Sequence, residues 1–162
     1  AVRGEGEVDR KLAHFVHGIR PFRHGIEALR VLGEFADIVV VSATPQEALT
    51  RELSACSVDE LVSVIAGQET ETKAHVIAEA MAFGYSPQNV LKVGDAPGDL
   101  KAAQQNNVLF YPIIPREETQ CWAALEREVS ALFHAHDYAG KPMENAIARF
   151  LGSLPDTPPW RR

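Results

Sequence analysis

A chain of 162 residues, 46% apolar and 23% charged, has the length and balance of one globular domain with its own core. A net charge of −6, with sixteen Lys and Arg scattered rather than clustered, argues against nucleic acid or an anionic membrane surface as a partner. Two distant cysteines, Cys56 and Cys121, suggest neither a disulfide framework nor a thiolate zinc site, and a reducing cytoplasm is the expected setting. No apolar run approaches the roughly 20 residues of a membrane span, and the charged start Ala-Val-Arg-Gly-Glu-Gly-Glu is unlike a secretory signal.

The first helical pattern runs through Ile26, Leu29, Leu32 and Phe35. The β-branched run Ile38 to Val41 that follows reads as a strand buried on both faces. Pro45 suits the first turn of a helix reaching about Ala55, and Leu61 to Ile65 reads as a second strand. From Lys73 to Phe83 the residues Val76, Ile77, Ala80 and Met81 share a helical face, which Gly84 is placed to end in a left-handed conformation. Val90 to Val93 is then a strand, Asp99 to Asn106 a helix and Val108 to Tyr111 a further strand. This repeated alternation predicts an α/β fold, a Rossmann-like parallel sheet flanked by helices, with ligands collected at the carboxyl ends of the strands. Beyond Pro112 a stripe of Trp122, Leu125, Val129, Leu132 and Phe133 marks a helix from about Glu117 to His134. A shorter helix is expected from Met143 to Leu151, and the last residues, with Trp160, read as extended.

Chemistry concentrates where strands end. Lys-Val-Gly-Asp-Ala-Pro-Gly-Asp, residues 92 to 99, sets Asp95 and Asp99 in a turn entering a helix. A turn residue and a helix cap are the ordinary uses of such aspartates. A hard divalent cation such as Mg²⁺ is the alternative, since it takes carboxylate oxygens completed by water and phosphate. Ser42, with Ala43 and Thr44, ends a strand and precedes a helix, a place that suits either an N-cap or a phosphate oxygen; a Thr44 cap would free Ser42 for the ligand. Lys73 opens its helix against the macrodipole, either offset by Glu69 and Glu71 or aimed at a ligand. The histidines, His14, His17 and His24 in one group and His134 and His136 in another, lack partners at metal-ligand spacing.

Taken in order, Val39-Val40-Val41-Ser42, Lys73 and Val93-Gly94-Asp95-Ala96-Pro97-Gly98-Asp99 resemble motifs two, three and four of the haloacid dehalogenase-like hydrolase superfamily. The resemblance covers roughly Pro21 to Tyr111. It implies that Ser42 and Ala43 contact a phosphoryl group, that Lys73 neutralises it, that Asp95 ligates Mg²⁺, and that Asp99 assists at or behind the metal. It further implies a nucleophilic Asp-x-Asp after an earlier strand, and no aspartate of this chain stands two residues before another.

These implications give a definite expectation. Residues 1–20 are read as the end of a helical cap, 21–115 as the core and 116–162 as a helical C-terminal extension packed on it. The first motif and its central strand are expected upstream of Ala1, because a parallel sheet without its central strand would leave unpaired backbone groups. The parent protein is then expected to be a Mg²⁺-dependent phosphatase of a small phosphorylated metabolite, and the chain as given, without the nucleophile, to be inactive. A phosphomutase and a non-catalytic binding or assembly module are the alternatives.

Overall fold

The computed structural model describes residues 21–70 and 72–155. The cap segment read at 1–20 and the terminal residues from 156, including Trp160, lie outside them. Helix α1 (Gly25–Gly33) leads to strand β1 (Val39–Val41), helix α2 (Gln46–Ala55) and strand β2 (Val64–Ala66). Helix α3 (Lys73–Ala82), strand β3 (Leu91–Gly94), helix α4 (Pro97–Gln105) and strand β4 (Leu109–Pro112) continue the alternation. The fold is α/β, with parallel strands flanked by helices.

Local chemistry explains most boundaries. Gly84, at φ 107°, ends α3, and its N–H bonds the Met81 carbonyl at 2.9 Å. Pro97 occupies the first position of α4, where its missing N–H is harmless, so the helix begins two residues before the expected start at Asp99. The second strand departs from the expectation of Leu61 to Ile65: Asp59–Leu61 is a 3-10 turn, and the strand starts at Val64. Asp59 holds that turn, accepting from the Ser54 hydroxyl at 2.8 Å and from the Val62 N–H at 3.1 Å.

The strands form two parallel pairs, β1 with β2 and β3 with β4, and no ladder joins the pairs among the described residues. Val39 stands opposite Val64, and Leu91 opposite Leu109. The expectation that β1 is buried on both faces is corrected: Val39 is 40% exposed and its neighbour Val64 51%. β4, by contrast, is buried along its whole length.

Helix α5 (Glu118–Ala124), a π-helical turn (Leu125–Val129), helix α6 (Ser130–His134) and helix α7 (Lys141–Ser153) follow, and β4 is packed chiefly between β3, α7 and α4. The helical stripe expected from Glu117 to His134 is therefore present but widened by one π turn, which carries Leu125 and Val129 into the core. Glu126 in that turn pairs with His24 Nδ1 at 2.7 Å, fastening it to the start of α1. On β4, Leu109 N–H and Ile113 N–H bond the Val90 and Gly94 carbonyls of the neighbouring strand at 3.0 and 2.8 Å. Alternation then turns the N–H and C=O of Phe110 away from β3. The N–H donates to Met143 Sδ at 3.4 Å, and the buried Tyr138 hydroxyl donates to the C=O at 3.0 Å. Tyr138→Phe should cost about 1–3 kcal/mol, because it strands a buried carbonyl without changing side-chain shape. A urea-unfolding midpoint equal to that of the parent chain would refute this.

Candidate functional site

The site grows from β3. Side chains two apart on a strand share a face, so Lys92 and Gly94 look toward the same helix, α4. A Cβ on Gly94 would lie 2.4 Å from both Cβ and Cγ of Asp99, so only glycine lets α4 approach this closely. Asp99 fills the space thus made and is 1% exposed.

Asp99 is the third residue of α4 rather than the N-cap that a purely local reading offers. Its Oδ2 accepts the Ala96 N–H at 3.3 Å, across the first turn of the helix. Its Oδ1 accepts from two ammonium groups, Lys73 Nζ at 2.8 Å and Lys92 Nζ at 3.0 Å. Burial by itself would raise the pKa of this carboxyl. The hydrogen bond from Lys73 and the charge of and bond from Lys92 outweigh burial and hold it below the ordinary carboxylate value.

Asp95 lies at the carboxyl end of β3, exposed, and its side chain makes no hydrogen bond or ion pair among the described residues. Ser42 stands half-buried at the end of β1, with Ala43 exposed beside it. The Ser42 hydroxyl is engaged locally: it donates to Thr44 Oγ1 and accepts the Thr44 N–H, both at 3.1 Å. Thr44 does not cap α2. The Gln46 N–H is instead held by the Glu69 carboxylate at 3.0 and 3.3 Å, which Gly67 permits, since a Cβ there would come within 2.5 Å of Gln46 N. Glu69 therefore serves the start of α2 rather than balancing Lys73. The cap of α3 is Thr72, whose hydroxyl accepts the His75 N–H at 3.3 Å.

Of the residues singled out in the sequence, Lys73 and Asp99 are in direct contact, and Asp95 lies in the turn between β3 and α4. No hydrogen bond ties Ser42 or Ala43 to this group among the described residues. Lys92 was not singled out. The signal was available: a lysine inside the apolar run Val90 to Val93, two residues before a glycine, breaks the pattern of its strand.

Among the described residues no three His, Cys, Asp or Glu side chains group as a metal cage. Asp95, without a side-chain partner among the described residues, suits at most a cation that keeps most of its water and shares a ligand's oxygens. Mg²⁺ binds in that way, whereas Ca²⁺ takes 6–8 oxygens.

The acidic and cationic side chains gather at a strand's carboxyl end, the place where open parallel sheets generally collect their ligands. The family model described as haloacid dehalogenase-like hydrolase matches residues 7–113, well over half of the chain, and the chain belongs to that family. The match includes Ser42, Ala43, Lys73, Lys92, Asp95 and Asp99 and stops before α5. No curated protein and no solved structure matches the chain. Among the described residues no helix is long and apolar enough to cross a membrane.

Proposed function

We propose that this chain is the phosphate-handling part of a Mg²⁺-dependent phosphatase that acts on a small phosphorylated metabolite through an aspartyl-phosphate. The observation that carries the reading is the cluster at the end of β3: two lysine ammoniums on the buried Asp99, with Asp95, which has no side-chain partner among the described residues, in the turn just before α4. Asp95 would hold the cation, which supplies charge for the phosphoryl oxygens, and Asp99 would keep the β3–α4 turn in place behind it. Lys73 would neutralise the phosphoryl group and Ser42, with the Ala43 N–H, would orient it, the hydroxyl turning from Thr44 to the ligand. The nucleophile and the acid/base that protonates the leaving alcohol would come from an Asp-x-Asp that these 162 residues do not contain. The division of the strands into two separate pairs supports an additional strand, bearing that motif, between them.

A non-catalytic binding module is the second reading, favoured by the same missing motif. Assaying the full natural protein on a panel of small phosphate esters separates the two. Mg²⁺-dependent release of inorganic phosphate, lost on Asp95→Asn, is the expected result. Absence of turnover across the panel, or turnover indifferent to Asp95→Asn, would favour the module.

A further inference from the structure

The geometry points to Lys92 as the fixed counter-ion of Asp99, a positioning residue whose presence lets Lys73 leave Asp99 for an incoming phosphate; this rests on the phosphate reading above. Two ammoniums share one carboxylate oxygen, at 2.8 and 3.0 Å, although one of them suffices to neutralise the charge. They are not equivalent. The Lys92 side chain is 15% exposed, and its Nζ also donates to the Val93 carbonyl at 3.1 Å, so it is held by its own strand as well as by Asp99. The Lys73 side chain is 38% exposed and has Asp99 as its one hydrogen-bond partner among the described residues. It also opens α3, where the positive end of the helix macrodipole disfavours a cation and favours an anion brought to it.

Removing one member of a buried ion pair leaves an uncompensated charge, which is strongly unfavourable. With Lys73 as sole partner of Asp99, every move of Lys73 toward a phosphate oxygen would create that state. Lys92 removes the penalty, since Asp99 keeps a neutralising ammonium throughout. Lys92 therefore touches no substrate and acts through Asp99 on the freedom of Lys73.

The test is NMR of lysine Cε and Nζ signals, with calorimetry of inorganic phosphate binding in the presence of Mg²⁺, on the full protein and its Lys92→Met and Lys92→Arg variants. Phosphate should move the Lys73 signals and leave those of Lys92 in place. Lys92→Met should weaken phosphate binding about tenfold, the scale of one charged hydrogen bond. Lys92→Arg, which keeps the charge, should restore most of that loss. A Lys92 signal that moves with phosphate overturns the inference. So does a Lys92→Met variant that melts earlier but binds phosphate unchanged, since the lysine would then be only structural. Should Lys92→Met fail to fold, the unmodified protein decides through the mobility of its two lysine termini. Lys73 should be the more mobile, and equal mobility refutes the assignment even if phosphate does not bind, an outcome that would count separately against the phosphate reading.

Discussion

Asp99→Ala should lower the unfolding free energy by about 3–5 kcal/mol at neutral pH, the usual cost of deleting one partner of a buried ion pair. The lower end of that range is expected, because both ammoniums keep part of their hydration, Lys73 more than Lys92. Three losses combine: two ammoniums are left facing a cavity, the Ala96 N–H loses its acceptor, and the space opposite Gly94 empties. The pH dependence gives the charge its signature. The folded-state pKa of Asp99 lies below the unfolded-chain value of 3.8, so its ionic contribution is complete above that value. It is lost as the pH falls through the lowered native value. Urea unfolding of the two proteins should therefore differ most at neutral pH, and the gap should narrow in strong acid to the part due to packing. A gap that persists undiminished well below 3.8 would assign the effect to packing instead of charge.

Phe150→Ala should be as damaging, at about 3–5 kcal/mol for a large aromatic removed from a closed core. Phe150 is fully buried, with its ring centroid 6.0 Å from that of Phe110 on β4. It lies on α7, beyond the residues matched by the family model. If 116–162 packs as an integral cover, the variant will unfold in one transition with a lowered urea midpoint. A separate early transition, leaving the remainder at the midpoint of the parent chain, would instead make the C-terminal helices a unit of their own.

Where local chemistry decides structure, the sequence was legible. Gly84 stops α3, and the apolar run that became β4 needed only a shift of one residue. Lys73 and Asp99 could be singled out because each has an odd local setting, a cation at a helix start and an acid in a glycine-flanked turn. That they bond each other across 26 residues was not readable, because the contact depends on how α3 and α4 pack. Lys92 escaped for a related reason: a lysine in a strand declares itself as buried only when the covering helix is known. Glu69 was misjudged because its partner, the Gln46 N–H, is 23 residues earlier and is reached only where Gly67 brings two loops together. Burial of β1 was overestimated from its valines, since composition states what a strand tolerates and its neighbours determine what covers it.

The two contacts that α7 and its approach make with Phe110 have a consequence for how this chain is made. Val-Leu-Phe-Tyr at 108–111 is an apolar, β-prone stretch, and an uncovered strand of that kind templates pairing with other chains. Its outward N–H is taken up by Met143, 33 residues later, and its carbonyl by Tyr138, 28 residues later. During synthesis the stretch therefore emerges well before its guard. Release truncated ahead of α7, or slow docking of that helix, would leave the edge of β4 open to self-association, so the end of this chain acts as its protection against aggregation.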